Sequence, residues 1–252
     1  MSDIHGNTIA LESVLADIEA RGGADAYWLL GDHVAIGPDP LGVLERITKL
    51  PHASFIYGNT DHYVTEGKRP YPSPEDVQTD FGLLERFKQV TDGFSWTQGA
   101  VTAAGWLPWL TELPFDVRLT LPDGTRLRGV HASPMDDVTG YSAGDSADWL
   151  AQVAAAAEAD VLVAGHVHYP MDQVVDGVRL VNIGSVSNPR VPDLAATYVW
   201  LTADASGYEL ERIHVPYDRQ AVVDQMWAVR HPAAKHVQDL MNGRFIYSQG
   251  FE

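Results

Sequence analysis

The first sixty residues alternate helical segments with short apolar runs, and this alternation restricts the fold more than any other feature of the sequence. The apolar residues of the first segment recur at helical spacing: Leu11, Val14, Leu15 and Ile18. The apolar runs at residues 26–30 and 53–57 are too short for helices and predict buried strands. Between them, Asp39-Pro40 predicts a capped helix start. Alternating strands and helices favour an α/β fold, with a parallel or mixed sheet covered by helices.

The rest of the chain predicts a helical insertion followed by a strand-rich half. Residues 62–112 are rich in proline and aromatic residues, and we predict a helical insertion there, either a cap over a site or a satellite core. Turn sequences within 115–130 and 171–181 predict two hairpins, and residues 195–216 predict one more strand pair. Because no linker, repeat or low-complexity tract interrupts the sequence, we predict a single domain over residues 1–252.

Charge and cysteine content exclude several classes of function. Lys and Arg number 17 against 34 Asp and Glu, which gives a formal net charge of -17. A chain this acidic repels polyanions, so we expect neither extended nucleic-acid binding nor attachment to anionic membranes. The absence of cysteine excludes disulfides, thiol nucleophiles and cysteine-based metal sites. No apolar run reaches the ~18 residues of a membrane span and no signal peptide is evident, so we expect a cytoplasmic location.

Side chains of the kinds that bind metals follow the predicted strands. Seven of them stand where a strand ends or just before the first helix: Asp3, His5, Asp32, Asn59, His131, His166 and His168. In open α/β sheets, ligands bind outside the carboxyl ends of the strands, so these side chains should converge. Oxygen and imidazole ligands without sulfur suit two divalent transition-metal ions, with manganese favoured and iron, zinc or nickel as alternatives. Two such ions polarise a bridging water and attract phosphate, so a small phosphate substrate is compatible with an acidic chain.

Other catalytic motifs find little support in the sequence. Gly184-Ser185-Val186 lacks the second glycine of a hydrolase nucleophile elbow. The sequence has neither a Gly-Lys-Ser phosphate loop nor a dinucleotide-binding fingerprint. A single His-x-His or Gly-Asp is weak evidence by itself, but five such elements at successive strand ends together favour the metal site.

Five motifs, in this order, resemble those of the calcineurin-like metallophosphoesterases, in particular a small bacterial and archaeal phosphodiesterase-type subgroup. They are Asp3-Ile-His-Gly-Asn7, Gly31-Asp-His-Val-Ala-Ile-Gly-Pro-Asp-Pro40, Gly58-Asn-Thr-Asp61, Val130-His-Ala-Ser-Pro134 and Gly165-His-Val-His168, and the stretch Asn182–Arg190 adds to the likeness. The resemblance implies a four-layer α/β/β/α sandwich of two mixed sheets flanked by helices. It also implies that one metal ion is held by Asp3, His5, Asp32 and His168, and that Asp32 bridges to a second ion held by Asn59, His131 and His166.

The catalytic residues depart from the family pattern at one position. The family usually has a histidine where this chain has Thr60, and the resemblance implies that this histidine protonates the leaving group. The candidate catalytic residues are therefore Asn59, Asp61 and His62. The role of Asp61 stays open, and His62 is a candidate replacement acid, although a solvent-facing histidine is the simpler interpretation. On the simpler interpretation we expect a steep dependence of rate on the leaving group, and little change in activity from His62→Ala.

The amino-terminal segment departs from the pattern as well. Only Met1 and Ser2 precede Asp3, where the family has an apolar strand. A central strand of this kind is normally buried, and its absence weakens the sheet. We therefore expect that an upstream, in-frame segment of about five to seven apolar residues completes the strand.

Together these observations predict a metal-dependent phosphoesterase that hydrolyses a small phosphate ester by a metal-bridging hydroxide, with phosphodiesters favoured over monoesters. The alternatives are a nucleotide or protein phosphatase of the same chemistry, and a binding or scaffold protein whose catalysis has weakened. The complete set of ligands argues against the scaffold, whereas Thr60 and the short amino-terminal segment argue for it. The sequence predicts no particular oligomeric state.

Overall fold

The computed structural model describes residues 1–244, in which helices and strands alternate along the chain. The helices are α1 (Thr8–Ala20), α2 (Pro40–Ile47), α3 (Asn59–Glu66), α4 (Pro74–Thr79), α5 (Leu84–Ala103), α6 (Leu107–Thr111), α7 (Ala147–Ala156), α8 (Arg219–Ala228) and α9 (Ala234–Met241), with a 3₁₀ turn at Phe81–Leu83. The strands are β1 (Tyr27–Leu30), β2 (Ala53–Ile56), β3 (Asp116–Thr120), β4 (Arg126–Val130), β5 (Val161–Ala164), β6 (Met171–Val175), β7 (Val178–Asn182), β8 (Ala196–Asp204) and β9 (Gly207–Val215). The predicted α/β class is confirmed.

One sheet contains five strands in the order β3-β4-β5-β7-β6. The three inner strands run parallel, and β3 and β6 pair antiparallel with them at the edges. The sheet is therefore mixed, and the hairpins predicted at 115–130 and 171–181 are present as its outer strand pairs. Both β4 and β5 end at the same edge, where the histidines of the next residues follow.

The second sheet consists of two strand pairs joined by short segments. β1 and β2 pair in parallel, and β8 and β9 pair antiparallel. Residues 1–3 and 185–187 lie between the two pairs. Main-chain hydrogen bonds make the connection: Leu30 N–H to Met1 (2.9 Å), Asp3 N–H to Gly31 (3.1 Å), Val186 N–H to Ser2 (3.1 Å) and Thr197 N–H to Ser185 (2.9 Å). Residues 1–3 thus occupy the position at which a full central strand was expected. Because it contains parallel and antiparallel pairs, the second sheet is also mixed.

Alternating side chains on β5 and β1 show how the layers stack. On β5, Val163 packs in one buried cluster with Leu30 of β1, so the two sheets lie face to face. The next side chain, Leu162, points the other way and packs with Val153 of α7. On β1, Leu29 likewise faces outward and packs with α1 and α2. The order of layers is helix, sheet, sheet, helix, which confirms the four-layer sandwich.

The helices predicted over residues 62–112 begin earlier than expected, because α3 starts at Asn59. The long helix α5 packs against α2 and α3. Its buried side chains Phe94 and Val101, with Leu110 of α6, belong to the same cluster as α1 and α2. These apolar side chains therefore continue the main core. Within residues 1–244, no helix combines the length and the apolarity that crossing a membrane requires.

Candidate metal centre

The seven predicted metal ligands lie on the turns that follow adjacent strands. Asp3 ends the short segment beside β1 and His5 comes just after it, while Asp32 and Asn59 follow β1 and β2. The three histidines follow two strands of the other sheet: His131 after β4, and His166 and His168 after β5. The site therefore lies where the corresponding ends of both sheets meet. The structure brings all seven side chains together there.

Asp3, His5 and His168 form the first group of ligand atoms, with each atom within 4.8 Å of the others. His168 Nε2 lies 3.0 Å from Asp3 Oδ1, and His5 Nε2 lies 3.8 Å from the same oxygen. The two Nε2 atoms are 3.4 Å apart. All three side chains are buried. One carboxylate and two imidazoles thus face a common point.

Asp3, Asp32 and His131 form a second group that satisfies the same distance limit. Asp32 Oδ2 lies 3.4 Å from His131 Nε2 and 3.7 Å from His5 Nε2. The same oxygen of Asp32 is therefore close to a histidine of each group. Such a position suits a carboxylate that bridges two cations.

Asn59 and His166 extend the second group. Asn59 Oδ1 lies 3.0 Å from His131 Nε2 and 3.2 Å from His166 Nδ1. The main-chain N–H of His166 also donates to Asp3 Oδ2, at 3.0 Å. These contacts connect the turns after β2, β4 and β5 at one place, so the site draws on both sheets.

Hydrogen bonds behind two imidazoles determine which nitrogen faces the cluster. His131 Nδ1 lies 2.8 Å from the carbonyl oxygen of Leu30, and His168 Nδ1 lies 2.9 Å from that of Asn188. Because a carbonyl only accepts, each Nδ1 donates and each Nε2 is left facing carboxylate oxygens. A neutral Nε2 facing a carboxylate is repulsive unless a cation lies between them. The donor set therefore fits divalent metal ions, with the outer hydrogen bonds orienting the rings.

Burial and neighbouring charges shift the pKa values of the ligand residues in opposite directions. Burial raises the pKa of Asp3, but the neighbouring imidazoles overcome this and hold it at about 2. Asp32 behaves in the same way, and its pKa is lowered well below its usual range. Burial lowers the pKa of His131, but Asp32 and Asp3 more than compensate and raise it to about 10. Burial lowers the pKa values of His5 and His166 to about 4. Without metal, the raised pKa of His131 therefore keeps a proton between His131 and Asp32.

Five of the seven ligand residues have left-handed backbone. Their φ angles are 58° for Asp3, 49° for His5, 56° for Asp32, 65° for His166 and 60° for His168. For residues other than glycine this conformation costs about 1–2 kcal/mol each. Non-glycine residues with such backbone cluster at functional sites, where the surrounding structure imposes the conformation. The turns are therefore shaped to direct these side chains inward.

Two glycines allow the turns after β1 and β2 to approach each other. A Cβ on Gly31, which has a φ of 87°, would lie 2.6 Å from the nitrogen of Gly58 and 2.7 Å from His131 Nδ1. A Cβ on Gly58 would overlap Oδ1 of Asp32. Any side chain at either position would displace a ligand residue.

Asp61 lies behind the ligand groups and connects two of the turns. Its side chain is fully buried. One oxygen accepts from the main-chain N–H of His33 at 3.0 Å, and the other accepts from that of Gly58 at 3.1 Å. The main-chain N–H of Thr60 donates to Asp32 Oδ1 at 2.9 Å. Asp61 therefore positions the turns that carry Asp32 and Asn59, a role that the sequence analysis left open.

His62 is partly exposed, but its ring is held by two neighbours rather than free in solvent. Its Nδ1 lies 2.8 Å from Asp137 Oδ2, and only 32% of the side chain is exposed. The ring stacks on that of Tyr57, with centroids 3.7 Å apart and planes at 28°. Neither partner was predicted, because they lie 5 and 75 positions away and no motif links them.

Comparisons with known proteins bear on the family and on the fold. A family model for the calcineurin-like phosphoesterase superfamily domain matches residues 1–206. An uncharacterized protein of Methanocaldococcus jannaschii is 27% identical over 248 residues, which cover 92% of this chain and 92% of that protein. The crystal structure of a hypothetical protein from Pyrococcus horikoshii has a TM-score of 0.76 at 20% identity, covering 99% of this chain and 97% of that one. The crystal structure of a metallophosphoesterase from Sphaerobacter thermophilus has a TM-score of 0.71 at 25% identity, covering 96% and 98%.

Proposed function

Because the chain belongs to the calcineurin-like phosphoesterase superfamily, we propose that it uses two divalent transition-metal ions to hydrolyse a small phosphate ester, with phosphodiesters favoured over monoesters. The observation that carries this proposal is that one oxygen of Asp32 lies close to a histidine of each group of ligand atoms, His5 and His131. A single ion would leave the carboxylates and imidazoles of one group facing each other without a metal ion between them. Manganese is the favoured metal, with iron, zinc or nickel as alternatives.

The ligands divide between two positions. Asp3, His5 and His168 would hold one ion, and Asn59, His131 and His166 would hold the other, with Asp32 shared between them. Asp61 is a positioning residue in this proposal, because its two oxygens are occupied by main-chain N–H groups. Bound dications neutralise phosphate charge and lower the pKa of a water that can attack phosphorus.

Local charge explains how an acidic chain can bind a phosphate ester. The chain as a whole has a formal net charge of -17 and repels anions at long range. At the site, two dications exceed the charge of the two buried carboxylates, Asp3 and Asp32, so the local sign is reversed. A small substrate that reaches into the site is therefore attracted by the local positive charge, whereas a long polyanion lying on the surface is repelled.

The experiment combines metal analysis with hydrolysis of a generic ester. The purified protein is loaded with Mn²⁺, its metal content is measured, and bis(p-nitrophenyl) phosphate is supplied as the substrate. We expect two ions per chain and hydrolysis that Asp32→Asn abolishes. The matched control is His214→Gln, which alters a histidine paired with Asp193 away from the ligand groups and should change neither result.

The two readouts separate the alternatives. A wild-type protein that binds no stoichiometric transition metal contradicts the metal site itself. A protein that binds two ions but does not hydrolyse any activated ester supports the binding or scaffold alternative instead. p-Nitrophenyl phosphate, tested in parallel, decides between diester and monoester preference.

A further inference from the structure

We propose that His62 donates the proton to the leaving oxygen of the substrate, with Asp137 and Tyr57 holding its ring in place. This inference rests on the proposed function and deepens it, because it assigns a role that Thr60 cannot fill. A threonine hydroxyl has far too high a pKa to protonate a leaving group. The proton donor must therefore come from another residue beside the ligands.

The helix α3 places His62 next to a ligand. Asn59 is the first residue of α3 and His62 is the fourth, and side chains three residues apart lie on the same face of a helix. The hydroxyl of Thr60, by contrast, is buried and has no hydrogen-bond partner among the described residues. His62 is thus the imidazole that α3 itself brings to the rim of the site.

Asp137 reaches His62 from a segment that is anchored to the ligands at both ends. Residues 131–140 begin with the ligand His131 and return against another ligand, because a Cβ on Gly140 would lie 2.9 Å from His166 Cδ2. Asp136 stiffens this segment, since its Oδ1 accepts from the main-chain N–H of Val138 at 2.8 Å. The pair of His62 and Asp137 therefore spans the rim between two ligand-bearing parts of the chain.

The contacts leave one ring nitrogen of His62 available. Nδ1 is occupied by Asp137 at 2.8 Å, and one face of the ring is covered by Tyr57, so Nε2 is the nitrogen that can donate. The hydrogen bond to Asp137 raises the pKa of His62, which keeps the cationic form populated to higher pH. The other charged groups that act on the ring are Glu66 and Asp61, both on its own helix. All of these groups are carboxylates, so each favours the cation.

The step balances with water as the only co-reactant. The oxygen of water attacks phosphorus, and the bond between phosphorus and the leaving oxygen breaks with its electron pair on that oxygen. His62 Nε2–H transfers its proton to the leaving oxygen, which departs as the alcohol. The proton lost by the attacking water goes to solvent, from which His62, partly exposed, is reprotonated.

A histidine–aspartate pair on a protein surface can also be purely structural, and the chain offers a matched control for that possibility. His214 Nδ1 lies 2.8 Å from Asp193 Oδ2, the same atoms at the same distance as in the pair of His62 and Asp137. This control pair connects β9 to the loop before β8 and contacts none of the ligands. His214→Gln therefore removes an equivalent pair without touching the site.

The test measures how the rate depends on the leaving group. Mn²⁺-loaded wild type, His62→Gln, Asp137→Asn and His214→Gln are compared on phosphodiesters whose leaving group is p-nitrophenol, phenol or an alkyl alcohol. We expect His62→Gln to slow the alkyl ester by about 10²–10⁴-fold and the p-nitrophenyl ester far less. Asp137→Asn should give a smaller loss with the same pattern, and His214→Gln should follow the wild type on every ester.

Proton NMR titration of the metal-free protein gives a readout that does not depend on activity. We expect the His62 imidazole to titrate above the ordinary value of about 6.5, and Asp137→Asn to lower that pKa. If His62→Gln slows all esters by the same factor while the wild type is active, His62 is not the proton donor and only this inference fails. If the wild type hydrolyses none of the esters with two ions bound, the proposed function fails and this inference with it.

Discussion

Metal binding should release the proton that His131 carries in the metal-free site. In the metal-free site, His131 keeps its proton because Asp32 and Asp3 raise its pKa to about 10. His5 and His166, with pKa values of about 4, are already neutral at pH 8. A metal ion at Nε2 of His131 must displace the proton there, whereas ions at the other two nitrogens displace none.

The free-energy cost of removing this proton follows from the difference between the pKa of His131 and the working pH. A solution at pH 7 is about three pH units below the pKa of His131. Each unit corresponds to about 1.36 kcal/mol of free energy for removing the proton. Displacing it therefore costs about 4 kcal/mol, or roughly a 10³-fold loss of apparent affinity for the ion bound by His131. Between pH 7 and 9 that affinity should rise about tenfold per pH unit, and it should level off above pH 10.

Titration calorimetry with Mn²⁺ in two buffers of different ionisation enthalpy gives the number of protons released. We expect the wild type to release about one proton more at pH 8 than His131→Gln, which lacks the proton. A proton released from elsewhere in the site, including one from a metal-bound water, would persist in the variant. Equal release by the wild type and the variant refutes the assignment of the proton to His131.

The same proton should appear in the stability of the metal-free protein. The folded pKa of His131 lies above the unfolded value of about 6.5, so its contribution to stability is fully present below that value. It is lost as the pH rises through about 10. Urea unfolding of the metal-free wild type and of His131→Gln at pH 7 and at pH 10 measures this difference.

Three further perturbations test other parts of the site. Asp32→Asn should weaken both ions, because the shared oxygen loses its charge, whereas His131→Ala should mainly lose one; metal content after dialysis decides. Asp61→Asn should lower the free energy of unfolding by about 1–3 kcal/mol in urea, since one buried main-chain N–H loses its acceptor. Gly58→Ala should reduce metal affinity about 10–100-fold by displacing Asp32, while Gly99→Ala, on an open face of α5, should leave it unchanged.

Each of these predictions has an outcome that contradicts it. Loss of only one ion from Asp32→Asn would mean that Asp32 is not shared between two positions. An Asp61→Asn protein as stable as the wild type would remove Asp61 as the residue that ties the turns together. Unchanged metal affinity in Gly58→Ala would show that the turns after β1 and β2 can separate without disturbing the ligand.

The convergence of the ligands could be predicted because it depends only on topology. Asp32 and Asn59 directly follow apolar runs that read as strands, and the carboxyl ends of parallel strands meet at one edge. The same reasoning placed His131 and His166 after their own strands. Residue type, strand position and the direction of pairing were enough, and no long-range contact had to be known.

The parts that could not be predicted depend on contacts between distant residues. The contact of His62 with Asp137 joins positions 75 apart, and nothing in the local sequence at either end marks it. The role of Asp61 follows from two main-chain N–H groups, and one of them belongs to His33, on the turn after β1. The three-residue segment beside β1 was also unpredictable, because strand propensity is not meaningful over so short a stretch.

The left-handed backbone of five ligand residues lowers the stability of the fold, but it directs the side chains that the proposed function needs into the site. At each of these positions glycine would adopt the same conformation without a steric penalty, and asparagine at a reduced one. Asp3 and Asp32 also accept main-chain hydrogen bonds, so a screen that rewards thermal stability alone should enrich glycine first at His5 and His166. In a lineage that no longer needs the reaction, these would be the first residues to drift, and the surrounding sheets would survive or even gain from the loss. If a descendant retains aspartate and histidine at these five positions, we would infer that its lineage has continued to need the reaction.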